Sequence, residues 1–266
     1  MTLSAGRGIR VGAMPEEAWS VDTQLVHAGR PPAEPGAPLN QPVELASTYY
    51  AGGEPEYARD GTRGMWALED AIGPLEGGGA VTFASGMAAA NAIMDLLPAG
   101  ARVVAARFSY TGVAVRLREL DEVGRICLRT VDIANTREVV DAVAEADAVW
   151  IESPTNPMLE IADIRAVASA AKAAGALVVC DNTFATPLGQ RPLDLGADVV
   201  LHSATKAMGG HSDCLLGVTV ASDTDVVERL RLRDLHRQVE HAPVVALQGL
   251  LQARHTQCLR PHRGVS

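Results

Sequence analysis

From about residue 62 onward, short apolar runs alternate with longer amphipathic ones, and no other feature of the chain constrains its fold as tightly. The apolar runs predict strands at Ala80–Ala84, Arg102–Arg107, Arg125–Thr130, Asp147–Glu152, Ala176–Asp181, Asp198–Ser203 and Leu215–Ala221. Between them, apolar residues recurring three and four apart predict helices over 63–75, 86–97, 112–123, 136–145, 161–174 and 223–234. Strands separated by helices, with uninterrupted apolar runs such as VVLH and ALVVC, predict an α/β fold. Its sheet is expected to be mostly parallel and covered by helices on both faces. Ligands of such sheets sit beyond the carboxyl ends of the strands, so the residues just after each apolar run are the ones to inspect for chemistry.

Outside this region the pattern changes. Residues 1–55 carry Gly6, Gly8, Gly12 and the cluster PPAEPGAP, and are expected to form an extended N-terminal arm rather than a core element. Residues 56–235 form the regular domain. From 236 to 266 the rhythm is lost; the expectation there is a short helix around Val244–Gln252 and a frayed end. Four of the seven histidines (His236, His241, His255, His262) fall in this tail, at spacings that suit no compact metal site.

Composition removes several classes of function. With 47% hydrophobic and 21% charged residues the chain has ample material for a packed core. Net charge is -9 and the basic residues form no runs, which argues against a nucleic-acid partner. No apolar stretch approaches the roughly 18 residues of a membrane helix, and no basic-then-apolar leader opens the chain. Cys127, Cys180, Cys214 and Cys258 lie far apart with no C-x-x-C pair. A reduced, cytoplasmic protein without a disulfide framework or a metal is therefore expected.

Of the 23 basic residues only Lys172 and Lys206 are lysine. An arginine stays protonated, whereas a lysine amine can lose its proton and attack a carbonyl. Lys172 lies in the alanine-rich run AVASAAKAAG and reads as a solvated helix residue. Lys206 follows a predicted strand, in HSATK, with Ser203 and Thr205 beside it. The other strand ends are equally informative. Ser85-Gly86-Met87 opens a helix, where glycine permits close approach and free N–H groups favour a phosphate. Asp181 ends another strand, where it either caps the next element or faces a heterocyclic cation. Glu152 precedes the rigid loop SPTNP, in which Pro157 fixes Asn156.

These features converge on pyridoxal 5'-phosphate. That cofactor needs a lysine for its aldehyde, an acid for its ring nitrogen and a phosphate cradle at a helix N-terminus. It is usually covered by an aromatic ring, for which Tyr110 is the candidate. A nicotinamide-dependent oxidoreductase would want G-x-G-x-x-G after the first strand, and FASGMAAAN does not supply it.

The segments TQLVHAGR, YARDGTRGMWALEDAIGPLEGG, FASGMAA, VWIESPTNPMLEIADI, VVCDNTFATP and HSATKAMGGHSD resemble the Cys/Met-metabolism family of pyridoxal-phosphate enzymes. This transsulfuration group includes cystathionine γ-synthase, cystathionine γ-lyase and methionine γ-lyase. The resemblance implies the aspartate-aminotransferase type of fold and action at the γ-carbon of an amino acid. It implies Lys206 as the Schiff-base lysine and Asp181 facing the pyridine nitrogen, with Tyr110 stacked on the ring and assisting proton transfer. The backbone at Ser85, Gly86 and Met87, with Ser203 and Thr205, would hold the phosphate; Asn156 would lie near the ring hydroxyl and Glu152 would support the site. Tyr57 and Arg59 would reach the phosphate of a neighbouring subunit, so a homodimer or tetramer is implied.

Two departures stand out. The family's Y-S-R-x-x-N-P-T stretch reads YARDGTRG here, without the asparagine-proline pair. The family also continues into a smaller C-terminal domain that binds the substrate carboxylate. This sequence lacks it, so a truncated or frameshifted chain is expected, either active or a cofactor-binding remnant that turns nothing over.

Overall fold

A computed structural model describes residues 19–240, with side chains through residue 233. Helix α1 (Val21–His27) precedes a long irregular segment, and α2 (Arg63–Glu76) then leads into the sheet. The order continues β1 (Gly79–Phe83), α3 (Gly86–Met94), β2 (Ala101–Ala106), α4 (Thr111–Glu122) and β3 (Ile126–Val131). Next come α5 (Thr136–Val143), β4 (Ala148–Glu152), α6 (Ile164–Ala173) and β5 (Leu177–Asp181). The short α7 (Thr186–Gly189) and a 3-10 turn at Pro192–Leu195 lead to β6 (Val199–His202), β7 (Gly217–Ala221) and α8 (Thr224–Glu240).

The sheet has 7 strands in the order β1-β7-β6-β5-β4-β2-β3. Neighbours from β6 to β3 are parallel, while β7 runs antiparallel to both β1 and β6. This mostly parallel sheet with helices on both faces is the arrangement expected from the alternating pattern. Successive side chains on each strand point to opposite faces, and both faces are apolar. Val103, Trp150, Val179 and Leu201 pack under α3, α4 and α8, whose Ile93, Leu117 and Leu230 join the same cluster. Val104, Ile151 and Val178 face the other way, against Val139 of α5 and Val167 of α6. Ile72 of α2 covers Val200 and Val218 on that second side. Each such residue fully withdrawn from water contributes on the order of 2 kcal/mol.

Local chemistry sets the helix ends. Thr62, Ser85, Asn135 and Asp163 each turn a side-chain oxygen onto a first-turn N–H of the helix that follows. Gly77 ends α2 in the left-handed region at φ 94, where a side chain would be strained.

The strands fall within two residues of their expected positions, and the differences elsewhere have physical causes. The arm is not wholly extended, because Ser20 caps the α1 turn. Helix α6 begins at Ile164 rather than 161, since Ala162 donates its N–H to Ser153 Oγ and Thr155 exchanges bonds with Glu160, folding the preceding loop on itself. Helix α3 stops at Met94, shortly before Pro98. Helix α8 runs on to Glu240, past the expected end at 234. The helix expected around 244–252, and His241, His255, His262 and Cys258, lie outside the described residues. Cys127, Cys180 and Cys214 are free thiols. Among the described residues no helix is long and apolar enough to cross a membrane, and no three His, Cys, Asp or Glu side chains are grouped to hold a metal.

Ile151 lies mid-strand in the centre of the sheet and is fully buried. Ile151→Ala is expected to cost about 2–5 kcal/mol, read as a lower urea midpoint with an unchanged slope.

Candidate active site

The carboxyl ends of β4 and β5 place two acids side by side. Glu152 and Asp181 are direct register partners, and both side chains are buried. Glu152 is held by two backbone donors: the N–H of Tyr110 reaches Oε2 at 2.7 Å and that of Asn156 reaches Oε1 at 2.8 Å. Burial, and then the nearby Asp181 charge, raise its pKa to about 7, against the lowering effect of those two bonds. Asp181 is also pushed up by burial, while hydrogen bonds from Thr183 and the His202 charge pull the other way. The Thr183 N–H and hydroxyl both donate to Asp181 Oδ1, at 3.0 and 2.6 Å. Oδ2 keeps no hydrogen-bond partner among the described residues.

Lys206 sits in the turn after β6, exposed to solvent. Its N–H donates to Ser203 O and its carbonyl accepts from Gly210, so the backbone winds tightly around it. The Thr205 hydroxyl donates to Leu216 O at 3.1 Å and accepts from Leu216 N–H at 2.9 Å, tying this turn to the approach to β7. Thr205, Lys206, Gly210, Ser212 and Cys214 line an open depression of about 350 Å³. Ser203 donates its N–H to Thr183 Oγ at 2.9 Å, and the Thr183 hydroxyl goes on to Asp181. A two-bond relay therefore joins the lysine turn to the buried acid.

The start of α3 closes the same corner. Ser85 Oγ accepts from Ala88 N–H, and Ser85 O accepts from Ala89 N–H. The N–H groups of Gly86 and Met87 are left without an acceptor among the described residues. A Cβ at Gly86 would come within 2.9 Å of Ser203 Cβ, so helix start and lysine turn approach as closely as glycine allows. Tyr110 stands at the N-terminus of α4, with its ring close to Gly112 and Met87. Tyr57 and Arg59 pair with each other, the guanidinium 4.7 Å above the ring. No hydrogen bond or ion pair among the described residues links either to Ser203, Thr205 or Lys206.

Beyond the carboxyl ends of the strands Tyr110 and Asn156 thus converge on Glu152, Ser203 joins Asp181 through Thr183, and Gly86 packs on Ser203; Ser85, Met87, Thr205 and Lys206 flank these contacts in the chain, and Tyr57 and Arg59 do not join them through any such bond. Sequence reasoning missed Thr183, although its place two residues after Asp181 is a position from which a hydroxyl can reach back to a carboxylate. It also missed the roles of Glu76 and His202, which form a buried contact across 126 positions that no local spacing reveals.

The model of the Cys/Met metabolism PLP-dependent enzyme family matches residues 22–249. The chain belongs to this family. Its match begins one residue before the resembling segments and runs beyond Asp213, where they end. Over 214 residues it is 38% identical to a cystathionine beta-lyase of Lactococcus lactis subsp. cremoris, covering 78% of this chain and 56% of that protein. Over 216 residues it is 41% identical to a cystathionine gamma-lyase of Bacillus subtilis, covering 78% and 57%. The crystal structure of a cystathionine gamma synthase from Xanthomonas oryzae pv. oryzae superposes with TM-score 0.77 at 37% identity, covering 82% of this chain and 58% of that one. The chain thus spans little more than half the length of these relatives.

Pyridoxal 5'-phosphate is the cofactor of the family, and the residues present fit it. The glycine approach at Gly86 and the two free N–H groups of α3 suit a phosphate. Asp181 Oδ2, unpartnered among the described residues on a buried residue, suits a protonated ring nitrogen.

The raised Glu152 carboxyl makes stability depend on pH. The unfolded group releases its proton near 4.5 and the folded group near 7, so between these values the folded chain holds more protons and loses stability as pH rises. This contribution is present in full below about pH 4.5 and lost through about pH 7, a change of about 3 kcal/mol. Glu152→Gln in the cofactor-free chain is expected to remove that slope, measured as urea stability relative to the parent from pH 4.5 to 7.

Proposed function

We propose that the chain is the cofactor-domain portion of a pyridoxal-phosphate transsulfuration enzyme of sulfur amino-acid metabolism, working in the cytoplasm at the γ-carbon of its substrate. The single observation that carries this reading is the approach of Ser203, in the turn that leads to Lys206, to Asp181 through Thr183 and to the α3 N-terminus at Gly86.

When bound, pyridoxal 5'-phosphate supplies a cationic ring that accepts the electron pair left at the substrate's Cα. Lys206 would be the amine that holds the cofactor's aldehyde and that moves the proton at the substrate's Cα. Asp181, whose burial is partly offset by the two Thr183 donors, would hold a proton on the ring nitrogen. Gly86, Met87 and Ser203 bind the phosphate. Thr205 contributes through the turn it closes, because its hydroxyl proton is directed at Leu216 O. Tyr110 would cover one ring face and assist proton transfer, and Asn156 would lie near the ring hydroxyl. Glu152 holds Tyr110 and Asn156 in place through their N–H groups. Tyr57 and Arg59, exposed and paired with each other, serve the phosphate of a neighbouring subunit in a dimer or tetramer.

A second reading is favoured by the relatives named cystathionine beta-lyase: cleavage on the other side of the same sulfur. The two readings give different products. Cystathionine cleaved at the γ-carbon leaves cysteine, 2-oxobutanoate and ammonia; cleaved at the β-carbon it leaves homocysteine, pyruvate and ammonia. We expect the first set of three products, one water being consumed in either cleavage, or cystathionine formed from O-succinylhomoserine and cysteine with release of succinate. Borohydride is expected to fix pyridoxal phosphate to Lys206 in the parent and to fix none in Lys206→Ala. Fixation at another residue, or no uptake at all, overturns the assignment; uptake without turnover identifies an inactive remnant.

A further inference from the structure

The last residue of α2 is a carboxylate that the chemistry above does not use. Glu76 is completely buried and His202 is 1% exposed. Glu76 Oε1 shares a 2.6 Å hydrogen bond with His202 Nε2 and accepts another from Asn182 Nδ2 at 2.7 Å. Oε2 has no partner. The network continues: Asn182 Nδ2 donates to Gln190 O, and Gln190 Nε2 donates to Asn182 Oδ1 at 2.9 Å and to Ser153 O at 2.6 Å.

The positions of these residues in the chain give the network its meaning. Asn182 directly follows Asp181, Ser153 directly follows Glu152, and His202 ends the strand whose next turn carries Lys206. On the same side of the sheet Ile72, Val200 and Val218 fill their space with apolar groups. A buried carboxylate is a costly way to fill space, and a hydrophobic residue of similar volume usually serves stability better. What an apolar residue cannot do is accept hydrogen bonds from two strand ends at once.

Resting on the reading of the site as a pyridoxal-phosphate centre, we propose that Glu76 is a positioning residue. From beneath the sheet its Oε1 clamps the end of β5, which carries Asp181, to the end of β6, which leads to Lys206. The spacing between ring acid and amine is then set before any cofactor arrives. The clamp acts on the opposite face from the one Asp181 presents, so it leaves the cofactor side free.

Two backbone amides report on it directly: Asn182 N–H donates to Leu201 O at 2.9 Å, and Ser203 N–H donates to Thr183 Oγ at 2.9 Å. The test compares the parent chain with Glu76→Ala, which removes the acceptor, and Glu76→Gln, which keeps an acceptor oxygen. In cofactor-free protein, hydrogen exchange at Asn182 and Ser203 is expected to quicken at least about tenfold in Glu76→Ala, with β2 and β3 unchanged. Its dissociation constant for pyridoxal phosphate is expected to weaken by about tenfold or more, and Glu76→Gln to return both readouts to within about threefold of the parent. If Glu76→Ala fails to fold by circular dichroism, Asn182→Ala, which removes one arm of the clamp, is read in its place with the same expectations. Unchanged exchange at the two amides, or acceleration spread evenly over the sheet, overturns the proposal. A parent chain that takes up no pyridoxal phosphate overturns the functional reading instead, while the exchange data still decide the clamp.

Discussion

The register between β4 and β5 is the constraint on which the site depends. Because Glu152 and Asp181 occupy paired positions at the ends of parallel strands, their carboxyl groups are brought together on one face. A slip of one residue would send either side chain to the opposite face, into the cluster of Ile151 and Cys180. The apolar residues below them, Trp150 and Val179 on one face and Val149 and Val178 on the other, make such a slip expensive. Ordinary core packing therefore aims the acids.

Placing two acids together without water has an electrostatic cost, and the loops that follow the strands are built to offset it. Backbone N–H groups from Tyr110 and Asn156 converge on Glu152, and both donors of Thr183 converge on Asp181. The balance differs between the two sites. Burial and the Asp181 charge outweigh two backbone donors at Glu152, which ends with a pKa of about 7. Of the two acids, Asp181 alone also feels the charge of His202, which favours its ionised form. Burial thus holds both acids above the usual carboxylate range, Glu152 near neutrality, while at Asp181 the Thr183 hydrogen bonds offset part of that effect.

Much of this was legible in the chain. Alternation of apolar runs with amphipathic ones located the seven strands of the described residues, because burial on both faces leaves its mark along the interior strands. The scarcity of lysine singled out Lys206, and the S-G turn singled out the start of α3. Less legible were features that depend on partners far away in sequence. The antiparallel direction of β7 follows from how the 203–216 connection folds back, tied by Thr205 to Leu216, and its composition is like that of its parallel neighbours. The α6 start was misplaced because the loop before it spends its donors on Ser153 and Thr155.

By itself, the sequence determined the strand and helix periods, the residue types at each strand end and the family to which the chain belongs, since these are local patterns along a line. Only the tertiary structure decided that Thr183 bridges Asp181 to the Ser203 backbone, and that Glu76 reaches both His202 and Asn182. Apart from the short reach of Thr183 back to Asp181, those contacts join residues 20 to 126 positions apart, and no period in a chain encodes which distant donor will meet which buried acceptor. The pairing is settled when sheet and helices pack, because a polar group that leaves water must find its partner among whatever the fold has brought within reach.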